Sequence, residues 1–200
     1  GTGALVREKP TEQVHLVLTG PGLARDDRRR HANAVLDTIL GGSMSSRLFQ
    51  EVRERRGLAY SVGSFAIGYA ETGQVGVYTG TREDNLPLVC EVLGAELRRI
   101  ADEPVPAEEL ARAKDHLKGR LVLSLESSGA RMNRIGRSHL FGGELLSVDE
   151  LTARIEAVTA ADVQELAREH WRPEHLSAAA IGPNADPIHS ALRTVSETLA

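Results

Sequence analysis

Cysteine is almost absent from this chain. Cys90 is the sole thiol in 200 residues, so no internal disulfide can staple the fold. Its neighbours Leu88, Val89, Val92 and Leu93 mark it as a buried, inert core position. Long hydrophobic runs are missing too. No stretch approaches the roughly eighteen apolar residues of a membrane-spanning helix, and the N-terminus has no signal-peptide pattern, so the expectation is a cytoplasmic protein without a membrane partner. Positive charge is not in excess either. A formal net charge of −4 leaves no basic footprint for a nucleic acid. The one tight basic cluster, Arg28-Arg29-Arg30, follows Asp26-Asp27 at the start of a helix and reads as a solvated loop rather than a phosphate site. There is no Gly-Lys-Ser/Thr phosphate loop, no low-complexity segment and no internal repeat. An initiator methionine is also lacking, and Gly1-Thr2-Gly3 leads into Val6-Arg7-Glu8-Lys9-Pro10 like the start of a piece of something longer, upstream of which any targeting signal would lie.

What remains is ordinary for one soluble domain: 41% apolar and 26% charged residues, in a chain long enough to bury a core. Val14 to Thr19 reads as a strand, followed by a Gly20-Pro21-Gly22 loop and a helix from His31 to Leu40. Strands Ala59–Ile67 and Gln74–Thr79, joined by a turn at Ala70–Gly73, form a hairpin in which Val75, Val77 and Thr79 share one face. Helical spacing runs from Glu83 to Ala101, with Asp84 as N-cap and Pro87 in the first turn, and again from Ala107 to Glu126. A second helix follows Ser127-Ser128-Gly129 and ends near Phe141-Gly142-Gly143. Ser147 opens a helix over 148–158, and Thr159 opens another over 160–171. Leu176–Ile181 is the last strand, and 186–200 can form a terminal helix. Antiparallel strands with helices on one side make the fold class α+β.

The densest information lies between Gly41 and Tyr60. Gly41-Gly42 closes the preceding helix, Ser45 or Ser46 caps a new one reaching about Arg56, and Gly57 stops it before the strand. On a helical wheel Leu48 and Val52 form a buried stripe, with Arg53 at its border and Gln50 and Glu54 facing water. Two readings fit. Arg53 and Tyr60 can point into one concave surface; alternatively Arg53, Arg55 and Arg56 complement the negative end of the helix dipole and Tyr60 is a strand aromatic. Ser43 lacks the closing glycine of a nucleophile elbow and follows a helix instead of a strand, so it is a turn residue.

The run Gly42-Ser43-Met44-Ser45-Ser46-Arg47-Leu48-Phe49-Gln50-Glu51-Val52-Arg53-Glu54, followed by Gly57-Leu58-Ala59-Tyr60-Ser61, resembles a signature of the pitrilysin/insulinase zinc metallopeptidases. It is similar to the C-terminal half-domain of the branch that includes mitochondrial processing peptidase. The likeness extends from Val14 to the Ile181-Gly182-Pro183 turn. The resemblance implies one half of a duplicated metallopeptidase-type fold, with residues 1–13 a linker or fragment start, 14–183 the peptidase-like domain and 184–200 a terminal segment. It further implies that Arg53 binds substrate and that Tyr60 serves both binding and catalysis. The implied partners are an N-terminal half-domain or homologous subunit, paired as a dimer, and an extended peptide.

Zinc belongs to the parent enzyme in this reading, and this chain binds none. The inverted motif His-x-x-Glu-His is approached only by His170-Trp171-Arg172-Pro173-Glu174-His175, which is one residue too long and broken by Pro173. The seven histidines are otherwise scattered without ligand spacing. Two functions stand beside each other: the substrate-binding half of a zinc metalloendopeptidase, and a non-catalytic structural or partner subunit of a processing-peptidase-like complex.

Overall fold

The computed structural model describes residues 2–199. Strand β2 (Val14–Gly22) alternates buried Val14, Leu16 and Leu18 with His15, Val17 and Thr19 on its other face, the period of a half-buried strand. It lies at the centre of a five-stranded sheet. Its neighbours are β4 (Gly73–Thr81) and β5 (Ser177–Gly182), both antiparallel to it, and β3 (Ala59–Gly68) pairs antiparallel with β4 as the hairpin requires. Strand β1 (Gly3–Glu8) completes the order β1-β5-β2-β4-β3 by pairing parallel with β5.

No strand is expected before Val14 on sequence grounds, where residues 1–13 read as a linker or fragment start. Yet β1 runs along the sheet edge from Gly3 to Glu8. Only its Ala4-Leu5-Val6 centre is apolar, and its partner β5 lies more than 170 residues away, so neither alternation nor a hairpin turn announces it. Strand β2 runs on through Gly20-Pro21-Gly22, expected as a loop, because these residues pair with Gly73, Gln74 and Val75 of β4; β3 and β4 extend their expected ranges by one or two residues, and β5 lies one residue later than expected.

One face of the sheet is covered by α1 (Arg30–Leu40), α6 (Ala160–His170) and α7 (Ala185–Arg193), with α2 (Leu86–Asp102) resting on α6 and α7. Their apolar stripes fill one continuous core that includes Val35, Ile39, Val89, Leu93, Leu166 and Ile188. Cys90 is part of it, and burial pushes its thiol up to about 12. Two capping boxes start neighbouring helices: Ser147 with Glu150 for α5 (Val148–Glu156), and Thr159 with Asp162 for α6. The expected cap at Asp84 is absent. A 3₁₀ turn at Glu83–Asn85 leads into α2, which begins at Leu86 with Pro87 in its first turn and no side-chain cap.

Helix α3 (Ala107–Ser124) lies against α1 and α5, and α4 (Ser128–Leu140), opened by Ser127, has no buried residue. The terminal segment is helical only as far as Arg193; a 3₁₀ turn follows at Glu197–Leu199, and Ala200 lies outside the described residues. No helix among the described residues is long and apolar enough to cross a membrane.

Candidate functional site

The segment after α1 departs from a capped α-helix. Gly41 has φ −154°, so left-handed backbone is not why glycine stands there. A Cβ at Gly41 would lie 2.3 Å from the backbone nitrogen of Ser64 on β3, so the residue permits α1 to end against the strand. Ser46 Oγ donates to the Ser43 carbonyl at 2.6 Å and caps no helix; Ser45 Oγ only shares a 3.3 Å contact with Ser43 Oγ. The expected α-helix is a short turn at Arg47-Leu48 that widens into a π-helix over Phe49–Glu54, sealed by Arg55 N–H donating five residues back to the Gln50 carbonyl. Gly57, at φ +60°, then ends it in the conformation that favours glycine.

The burial pattern nevertheless follows the amphipathic reading. Leu48 and Val52 are fully buried and Arg53 is half-buried at their border. The wide turn sets Arg53 above Phe49, with its guanidinium carbon 4.7 Å from that ring's centroid.

Tyr60 occupies a β-bulge. Ala59 faces Thr81 and Ser61 faces Gly80, which leaves Tyr60 as the extra, unpaired residue of β3. The bulge turns its ring toward the π-helix, 4.5 Å from the Arg53 guanidinium carbon, and Arg53 Nη1 donates to the Tyr60 carbonyl at 3.2 Å. Arg53 is thus flanked by two aromatic rings, each contact worth about 0.5–1 kcal/mol at an exposed site. Its Glu54 neighbour is loose, at 3.8 Å. Tyr60 itself is 77% exposed, and its hydroxyl makes no hydrogen bond among the described residues. The structure therefore brings together the two residues singled out in the sequence, with donors left over on both.

Three supports of this site are not evident from spacing. Phe49, one turn before Arg53, is the ring under its guanidinium. Arg47, only 7% exposed, donates from Nε and Nη2 to Glu109 Oε1 and Oε2 on α3, at 2.9 and 2.8 Å, and so fixes the segment's start. Arg55 and Arg56 both close on Glu51, and the hydrogen bond from Arg56 holds that carboxyl below the usual carboxylate range. Behind them Ser64 Oγ donates to Asp37 Oδ1 at 2.5 Å, while burial raises the Asp37 carboxyl.

The donor set for zinc does not fit. His170 is buried in α6 with Nε2 3.1 Å from Asn33 Oδ1, its basicity lowered by burial, and His175 sits beyond Pro173 in a separate 3₁₀ turn. Among the described residues, no three His, Cys, Asp or Glu side chains converge on a point where a metal could sit.

Residues 1–117 match the family model described as the peptidase M16 inactive domain. A Streptomyces coelicolor protein named uncharacterized zinc protease is 50% identical over 186 residues, which cover 92% of this chain and 40% of that one. The uncharacterized zinc protease YmxG of Bacillus subtilis is 38% identical over 185 residues, 92% of this chain and 45% of its own. The crystal structure of a peptidase M16 inactive domain from Pseudomonas fluorescens superposes with a TM-score of 0.77 at 26% identity, covering 92% of this chain and 44% of that one. The chain spans less than half the length of each.

Proposed function

Because this chain belongs to the peptidase M16 inactive-domain family, we propose that it is the substrate-binding half of a zinc metalloendopeptidase that acts on extended peptides. The observation that carries the reading is the Arg53–Tyr60 pair, a guanidinium fixed between two rings beside a phenol whose hydroxyl is left free. Arg53 spends one donor on the Tyr60 carbonyl. Its remaining N–H groups would hold backbone carbonyls of a bound peptide, for which a planar, permanently charged donor fork is suited. Tyr60 would donate its phenolic proton in a hydrogen bond to the oxyanion that develops at the scissile carbonyl, a charge present chiefly in the transition state. Zinc and the general base would come from an N-terminal half or a homologous partner chain, since the histidines of this chain do not fit a metal. The names of the relatives, zinc proteases more than twice as long as the matched segment, support that division of labour.

The test is reconstitution. Joined to its N-terminal half, the chain is expected to cleave unstructured peptides in a reaction blocked by chelators, and Tyr60→Phe is expected to lower kcat by about 10²–10³-fold, the range for losing one oxyanion donor. Equal kcat for Tyr and Phe would remove Tyr60 from the chemistry. Failure of the zinc-loaded pair to cut any of a varied peptide set would favour the non-catalytic partner-subunit reading instead.

A further inference from the structure

At the hairpin end of β3, where Gly68 lies eight residues and about 26 Å of strand from the Tyr60 bulge, the loop before α1 and the helix α4 wall a groove of about 1200 Å³. Gly68 and Ala70 of the hairpin and Phe141 after α4 also line it. Six guanidinium groups enter its wall, those of Arg25, Arg28, Arg30, Arg134, Arg137 and Arg154, against only two carboxylates, Asp26 and Glu144. Glu144 is already engaged by Arg154 at 2.9 Å and lies 3.9 Å from Arg30. Arg134 is spent on the Leu146 carbonyl. Arg25 stacks on the Phe141 ring, its guanidinium carbon 3.9 Å from the centroid, a contact that leaves the N–H edge of a guanidinium available. Arg28 and Arg137 form no ion pair among the described residues, and both are exposed.

Like charges gathered on one concave surface repel each other, and a concave wall focuses their field on whatever enters. That arrangement destabilises the free protein locally and favours an anionic occupant. On a chain whose net charge is −4 the feature is local. A long polyanion would be repelled by the rest of the surface, whereas a short acidic stretch would not. The volume exceeds what a single small ligand fills, roughly 300–1,000 Å³, and the Phe141 and Ala70 surfaces suit the aliphatic stems of glutamates.

We infer that this groove binds an acidic segment of the peptide substrate, remote from the bond that is cut. The inference rests on the peptide-handling role proposed above and adds to it a substrate class, peptides carrying Asp or Glu several residues from the scissile bond. Only the Arg28-Arg29-Arg30 cluster is visible in the sequence; Arg29 turns away to Asp27 and Glu169, and the partners that complete the groove come from α4 and α5, more than a hundred residues later.

The experiment is fluorescence anisotropy on the 200-residue chain with labelled ten-residue peptides that differ only in carrying Glu, Gln or Lys, and with a short single-stranded oligonucleotide. The Glu peptide is expected to bind at least tenfold tighter than the Gln peptide, to weaken as salt is raised, and to bind tighter than the oligonucleotide. Charge reversal by Arg28→Glu with Arg137→Glu is expected to abolish the preference, and the milder Arg28→Gln with Arg137→Gln to reduce it, neither lowering the melting temperature. Equal binding of the Glu and Gln peptides, a preference that survives charge reversal, or an oligonucleotide that binds as well as the Glu peptide would each overturn the inference. Because the readout is binding by this chain alone, it separates from the proposed function. Acidic preference without cleavage by the reconstituted protein would sink the peptidase reading alone, and cleavage without acidic preference would sink the groove alone.

Discussion

Arg47 and Glu109 meet in a two-pronged ion pair of which Arg47 is almost wholly buried and Glu109 one-fifth exposed. Removing the arginine leaves a largely desolvated carboxylate without its partner. A fully buried pair broken in this way costs about 3–5 kcal/mol, and the residual solvation of Glu109 reduces that to roughly 2–3 kcal/mol here. Arg47→Met is therefore expected to lower Tm by about 5–10 °C in a domain of this size, and adding Glu109→Leu should recover a large part of the loss. Thermal melts of the two single variants and the double variant decide it; an Arg47→Met protein as stable as the parent would show the pair to be dispensable. Asp37 offers the pH counterpart. Burial raises its folded carboxyl above the ordinary 3.8, so its contribution to stability is fully present below that value and is lost as pH rises through the folded pKa. Asp37→Asn, which keeps an oxygen for the Ser64 hydroxyl, is expected to raise Tm at pH 7 by about 2–4 °C, with the gain vanishing below pH 3.8. A gain independent of pH would assign the effect to something other than ionisation. At this scale the sequence was legible where residues are neighbours along the chain: Arg53 and Tyr60 lie seven apart, within one signature. The Arg47–Glu109 pair, 62 positions apart, leaves no trace in any local pattern.

The segment that holds the site is irregular, and the glycines at its two ends are there for different reasons. Gly57 needs its left-handed φ of +60°, but nothing lies within 4 Å of where a Cβ would be. Gly41 has an ordinary φ and no room, with the Ser64 backbone nitrogen 2.3 Å from the same point. Gly57→Ala is thus expected to cost about 1–2 kcal/mol, the strain of a left-handed residue. Gly41→Ala is expected to cost clearly more, because either α1 or β3 must move. Denaturant unfolding ranks them, and a Gly41→Ala protein no less stable than Gly57→Ala would contradict the close approach. Hydrophobic periodicity was enough to find most elements and to bury Leu48 and Val52 correctly. It could not tell an α-helix from a π-helix over six residues, since Leu48 and Val52 lie on one side in either geometry. Nor could it find β1, whose side chains sit on a half-exposed edge and whose hydrogen bonds go to a strand near the other end of the chain.

Taken whole, the molecule leaves apolar surface where a helix would ordinarily hide it. Arg134, Arg137 and Phe141 of α4 and its C-terminus face the arginine groove, while Met132 and Ile135 on the helix are more than half exposed, as are Val122 and Leu123 at the end of α3. Since no residue of α4 is buried, its hydrogen bonds lack the tertiary cover that slows local opening elsewhere, and a thirteen-residue helix is marginal in water by itself. The relatives are more than twice as long as the part matched here, which makes a second half the natural cover under the proposed function. Hydrogen exchange can separate the two states. In the chain alone, amides of α4 are expected to exchange orders of magnitude faster than those of α2, whose Val89, Cys90 and Leu93 are fully buried. Addition of the N-terminal half should slow exchange in α4 and the last turn of α3 directly, by covering them, whereas α2, already limited by global unfolding, should slow only as far as pairing raises the stability of the whole fold. If α4 stays fast in a reconstituted pair that is catalytically active, the exposed Met132–Ile135 face does not meet the second half, and the union of the halves must be sought at the outward side of the sheet, where Leu5 and Ile181 are also exposed.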